Sequence, residues 1–194
     1  MASMQLWVGL GNPGPTYAMH RHNVGFMAID VIADIHGFSA PRKQFHGWTQ
    51  EGRIGAEKIV LLKPGTFMND SGRSVRAAMD FYKLAPGDVT VFHDELDLFA
   101  CRVKVKAGGG TAGHNGLRST DQHIGPDFRR VRIGIGHPGH KDKVTGHVLG
   151  AYAKREMDEL ADMLGAIAAE APWLAAGDDA RFMNEVALRL QDAG

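Results

Sequence analysis

Apolar residues follow two periods along this chain. Short unbroken runs predict buried strands at 4–10 (MQLWVGL), 58–63 (KIVLLK), 88–93 (DVTVFH) and 131–135 (VRIGI). RVKVK at 102–106 alternates strictly, which predicts a strand with one wet, basic face. Helical spacing links Val24, Ala28, Val31 and Ile35 within 22–36, with Gly37 as a stop, and Val75, Ala78, Met79 and Tyr82 within 71–83. Stretches rich in Ala, Leu and Met at 153–170 and 178–191 predict two helices around Pro172-Trp173. Strands alternating with helices define an α/β fold. RVKVK follows DVTVFH after a short connection, which predicts an antiparallel pair and hence a twisted mixed β-sheet flanked by helices. The expectation is one domain over 1–194, with 151–194 as its C-terminal helical part.

Composition narrows the classes. Glycine, at 25 of 194 residues, is nearly double its usual share of about 7% and favours a loop-rich site over a helical bundle. Cys101 is the sole cysteine, so neither an internal disulfide nor a cysteine zinc site is available. No apolar run approaches the ~20 residues of a membrane span. MASMQLWVGL has no basic leader and no small-residue cleavage site, so a cytoplasmic, membrane-free protein is expected. The Met-Ala-Ser before Met4 reads equally as a native start or an expression remnant. Net charge is zero, yet 101–150 carries nine Lys/Arg against three acids and 151–194 four against nine. A basic stretch around a glycine loop suits phosphates; two ordinary solvated faces are the alternative.

Five short motifs carry the candidate chemistry. They are Asn12 in GLGNPG, His22 in MHRHNVG, Asn69 in GTFMND, Asp94 in FHDELDL and Asn115 in GGGTAGHNG. Four contain glycine, which places them on turns at element ends. A His–Asp pair can deprotonate water, and neutral amides can hold a carbonyl and its developing oxyanion. Asp97 is an equal partner for His22 on spacing alone. Asn before Pro or Gly also makes ordinary Asx turns, and Asn69 could simply cap the helix that follows. Ser71 and Ser74 read as helix N-terminal residues, and GxSxG is absent. Gly9, Gly11 and Gly14 match the dinucleotide fingerprint, but Pro13 and Pro15 disfavour the helix it requires. The histidine pairs 20/22 and 137/140 lack a third ligand on a clear helix, so no metal and no cofactor are expected.

Together, NPG, RHN, FMN, HDELDL, GHNGL and RIGIGHPG, in that order over about Met4 to Gly150, resemble bacterial-type peptidyl-tRNA hydrolase. The resemblance implies hydrolysis of the ester between a peptide's carboxyl and the tRNA 3′ ribose, recycling tRNA from aborted translation. His22 would be the general base, assisted by Asp94. Asn12 and Asn69 would position the peptidyl end, and Asn115 would polarise the carbonyl or hold the water. Tyr17 and Met68 would help wall the site, and His114 would orient Asn115 or meet the acceptor end. Lys106 and Arg132 would hold the 5′-terminal phosphate, with Lys141 and Lys143 as further backbone contacts. The expected partner is peptidyl-tRNA, bound through its acceptor stem and CCA end by a monomer needing no protein partner. Thr111 and Ala112 stand where many members have His and Gly. Two other readings remain open: an RNA-binding member without catalysis, and a small-molecule hydrolase on the same fold.

Overall fold

The computed structural model describes residues 4–193; Met1, Ala2 and Ser3, whose reading was left open above, lie outside the described residues. The strands are β1 (Met4–Gly9), β2 (Arg42–Gln44), β3 (Gly47–Ile54), β4 (Glu57–Pro64), β5 (Val89–Glu95), β6 (Val103–Ala107) and β7 (Arg129–Gly134). The helices are α1 (Val24–Ile35), α2 (Ser71–Phe81), α3 (Asn115–Ile124), α4 (Val144–Val148), α5 (Met157–Ala175) and α6 (Asp179–Ala193). All seven strands form one mixed sheet in the order β2-β3-β4-β1-β5-β7-β6. β4, β1, β5 and β7 run parallel, while β3 and β6 run antiparallel to their neighbours.

The sheet is buried on both faces, which is why its central strands read as unbroken apolar runs. Along β1, Leu6 and Val8 join one cluster with α2 and α3, including Val75, Met79 and Leu117. Trp7 faces the opposite way into a cluster with α1, α5 and α6, including Ile29, Ile167 and Phe182. No helix among the described residues is long and apolar enough to cross a membrane.

Several expectations need correction. β6 pairs with β7 rather than β5, because β7 inserts between them. The sheet is mixed, as expected, but a later segment supplies the partner. β2, β3, α3 and α4 were not foreseen: they are short or polar, and only tertiary packing holds them. The buried face of α1 is Val24, Ala28, Ile29, Ile32 and Ala33, whereas Ile35 is 51% exposed. Pro172 lies inside α5 instead of dividing two helices. A proline there cannot donate to the carbonyl of Ala168. His36 Nε2 donates to that oxygen instead, at 2.6 Å, so the carbonyl is satisfied from another helix.

Asn12, Asn69 and Asp94 lie just beyond, or at, the carboxyl ends of β1, β4 and β5. The chain leaves β1 through α1 to reach β4 on one side, then returns through α2 to β5 on the other. Such reversals of strand order leave a crevice at the carboxyl edge of a parallel sheet. Close packing sharpens it. A Cβ on Gly25 would fall 2.3 Å from the Phe92 carbonyl and 2.7 Å from the Leu10 amide. Only glycine there lets the start of α1 touch β5, and that contact carries His22 to Asp94.

Candidate active site

Asp94 is the centre of a buried three-residue cluster. His22 Nδ1 lies 2.7 Å from its Oδ2, and His114 Nε2 lies 2.7 Å from its Oδ1. His22 sits on a 3₁₀ turn, Arg21–Asn23, that leads into α1. His114 is the N-cap of α3, and its Nδ1 accepts from the amides of Gly116 and Leu117 at 3.1 and 3.2 Å. With Nδ1 accepting, the proton of His114 must be on Nε2, pointing at Asp94. Among the described residues Asp97 forms no side-chain hydrogen bond to either histidine, and it is Asp94 that lies within bonding distance of both.

Burial works against charge on Asp94, but His114 first and His22 second outweigh it and hold the carboxyl well below the usual range. The carboxylate therefore accepts from both imidazoles at neutral pH. His22 donates through Nδ1, and its Nε2 has no hydrogen-bond partner among the described residues. His93 stands behind this group. Burial and the nearby His114 push it down to about 4, so it stays neutral. Its Nδ1 bonds the Asp94 backbone oxygen at 2.8 Å, leaving Nε2 buried and without a partner.

The three asparagines differ. Asn12 is buried and locked: its Oδ1 accepts from the Met68 amide at 2.8 Å. Its backbone N–H and C=O are both held, at 2.9 Å, by the side chain of Asn23. Asn23 is only 2% exposed and ties the loop after β1 to the turn bearing His22. Sequence reasoning gave Asn23 no role, although RHN places it next to the histidine. Asn69 is exposed on the 3₁₀ turn Met68–Asp70, makes no side-chain hydrogen bond among the described residues and does not cap α2. Asn115 is exposed at the first position of α3, with Oδ1 3.4 Å from Arg118 Nη1. Ser71 is the first residue of α2, its hydroxyl turned back to the Met68 carbonyl.

A cleft of about 850 Å³ is lined by His22, Asp94, His114, Asn115, Lys106 and Arg132, with α4 contributing Val144 and Val148. Asn12, Tyr17, Met68 and Asn69 lie outside its lining. Met68 is a core residue at 4% exposure, so it does not wall the site with its side chain. Tyr17 packs edge-on against Phe67, 6.2 Å between centroids, and Phe67 is largely exposed. Lys106 is exposed, whereas Arg132 donates through Nε to Glu95 at 2.9 Å. Lys141 and Lys143 are exposed on the turn just ahead of α4, and neither forms an ion pair among the described residues. His114 was expected to orient Asn115 or meet the acceptor end. Instead its imidazole is committed to Asp94 and to the first amides of α3, because those are the polar groups buried beside it.

His22, Asp94 and His114 offer ligand atoms within 4.8 Å of one another, a group that could hold a metal ion. The observed contacts are hydrogen bonds, and the fixed proton on His114 Nε2 occupies the position a metal would need. The cluster as built suits proton handling better than ligation.

A buried aspartate between two histidines thus opens onto a cleft lined by Lys106 and Arg132 on an α/β sheet, an arrangement compatible with hydrolase chemistry. Residues 6–193 match the family model described as peptidyl-tRNA hydrolase. The match extends well past Gly150, so the family pattern includes the C-terminal helices that motif reading left out. The peptidyl-tRNA hydrolase of Sphingopyxis alaskensis is 76% identical over 97% of this chain and 100% of its own. That of Novosphingobium aromaticivorans is 71% identical over 98% and 100%. The crystal structure of peptidyl-tRNA hydrolase from Acinetobacter baumannii is 42% identical, with a TM-score of 0.88 over 96% of this chain and 95% of that one. The chain belongs to the peptidyl-tRNA hydrolase family, and it is a hydrolase acting on the ester bond of peptidyl-tRNA.

Proposed function

We propose that His22 Nε2 removes a proton from water, whose oxygen attacks the ester carbonyl carbon. Asp94 fixes the tautomer through Nδ1 and stabilises the imidazolium that forms. The tetrahedral intermediate collapses by breaking the bond to the 3′ ribose oxygen, which takes the proton back from His22. The products are a peptide carboxylate and free tRNA, with no covalent enzyme intermediate. General-base catalysis of this kind contributes ~10²–10⁴-fold.

Asn115 donates to the developing oxyanion from the amino end of α3, where the helix dipole also favours negative charge. Asn12, held with its amide nitrogen free, and the unencumbered Asn69 position the peptidyl end, and the Tyr17–Phe67 pair flanks them. His114 acts through Asp94, as a positioning residue. Lys106 and the outer nitrogens of Arg132 hold the 5′-terminal phosphate, with Lys141 and Lys143 meeting the backbone beyond α4. Phosphate contacts set position and salt dependence without reading sequence, which suits a substrate class of many tRNAs. In this reading the chain acts as a single-domain cytoplasmic monomer, without metal or protein partner.

The observation that carries the mechanism is the 2.7 Å bond between His22 and a buried, ionised Asp94 at the cleft wall. The test is release of tRNA from N-acetyl-aminoacyl-tRNA in EDTA by the wild type and by His22→Ala. Cleavage by the wild type and its near-total loss in the variant support the reading. Activity that survives the substitution, or that EDTA abolishes, overturns the mechanism.

A further inference from the structure

Arg130 lies on the same face of the β6–β7 ladder as Lys104, Lys106 and Arg132, since Lys106 pairs with Arg130 and Lys104 with Arg132. That face is polar, yet Arg130 is only 2% exposed. The glycine loop has folded over it. Its Nη2 donates to the carbonyls of Gly109 at 2.8 Å and Pro126 at 3.2 Å, and its Nη1 donates to that of Gly110. Its guanidinium carbon also stands 4.3 Å from the centroid of the Phe128 ring. Among the described residues it forms no salt bridge, and Asp121 acts on it only at longer range. Two carbonyls of the glycine loop and one from the turn after α3 hold the outer nitrogens of this buried cation, while its Nε has no partner among the described residues; releasing the loop would strand the charge further, so the loop is held.

The loop in turn meets Lys106. A Cβ on Gly109 would fall 2.7 Å from both Cε and Nζ of Lys106, so the lysine lies across a bare glycine. Gly109 has φ +107°, a conformation that other residues adopt only under strain. We infer that Arg130 and Gly109 are positioning residues: Arg130 holds the Gly109 peptide in place, and Gly109 forms the surface along which the Lys106 ammonium is laid toward the cleft. Neither touches substrate. The result is a pre-set cation, so the phosphate does not have to order a flexible lysine when it binds. A lysine at 130 could not do the same, because one ammonium cannot present the planar fork that reaches three carbonyls.

This inference rests on the proposal that Lys106 holds the 5′ phosphate, and the experiment separates the two. KM and kcat are measured on N-acetyl-aminoacyl-tRNA with a 5′-phosphate and with a 5′-hydroxyl end, for the wild type, Arg130→Lys and Gly109→Ala. Each substitution is also made in a Lys106→Ala background. A wild type indifferent to the phosphate removes the phosphate reading itself. Given a wild-type preference, both variants are expected to raise KM severalfold on phosphorylated tRNA only, with kcat near wild type and no further effect beside Lys106→Ala. Preserved discrimination in both, equal losses on both substrates, or effects that persist without Lys106 overturn the inference. Should Arg130→Lys fail to fold, Gly109→Ala decides through the Lys106→Ala background: its Cβ meets the movable end of that lysine, and an effect that comes from backbone strain at φ +107° instead would persist without Lys106.

Discussion

Two halves of this site are built in opposite ways. Around Asp94, the side chains that fix geometry are buried or half-buried and hydrogen-bonded: His22, His114, Asn12 and Asn23 are each held by bonds of about 2.7–3.2 Å. On the other half, Asn69, Asn115, Lys141 and Lys143 are exposed, with few bonds or none, and Lys106, also exposed, is laid across Gly109. Proton transfer needs atoms placed before the substrate arrives. Phosphate and peptide contacts can be completed by the substrate, which brings its own hydrogen-bonding groups. Low desolvation cost matters more than fixed geometry for these exposed groups, Lys106 excepted.

The sharpest break in this contrast is Asp94→Asn. An amide cannot accept from both imidazoles with the same strength, and its nitrogen would oppose one of their N–H groups. The expected loss in kcat is at least ~10²-fold and toward 10⁴-fold, measured in single-turnover cleavage. A loss below tenfold would mean that the buried half is not the catalytic half. Asn115→Asp comes next. A carboxylate beside a developing oxyanion should lower kcat by ~10²–10³-fold with KM little changed. A kcat near wild type would leave Asn115 as a helix-start residue only.

Asn23→Ala tests whether the buried half is pre-set through its second layer. It strands the backbone groups of Asn12, so folding stability should drop by about 1–3 kcal/mol, read from denaturant melts, together with a fall in kcat. Unchanged kcat at reduced stability would make Asn23 structural alone.

His93 gives a pH signature. Its folded value, about 4, lies below the ordinary 6.5, so the folded state binds fewer protons than the unfolded one in between. The stability this group contributes is therefore intact above pH 6.5 and lost as pH falls toward 4. His93→Phe should flatten the slope of melting temperature against pH in that window. Smallest of all, Lys141→Ala with Lys143→Ala should raise KM modestly and flatten its salt dependence, leaving kcat alone. A change in kcat would move those lysines to the other half.

The central strands and most long helices were legible because burial on both faces leaves unbroken apolar runs, and helical burial leaves a 3.6-residue period. The candidates His22, Asp94, Asn12, Asn69 and Asn115 stood out because each stands in its own motif; of these, the structure bonds His22 directly to Asp94. What stayed hidden depends on neighbours far along the chain. β6 looked like the partner of β5 until β7, which follows α3, took the place between them. Pro172 looked like a helix break because nothing local reveals that His36 would take the freed carbonyl. His114 looked like an accessory to Asn115, whereas its imidazole reaches back 20 residues to Asp94. Arg130 was only one of nine basic residues counted in 101–150, and the glycine loop that covers it comes from before α3. By itself the sequence determined the layer architecture and the chemical types available, since period and residue type are local properties. Tertiary structure alone decided which carboxylate meets which histidine, which asparagine is locked and which cation is buried. Hydrogen bonds and burial act between atoms close in space, whatever their distance along the chain.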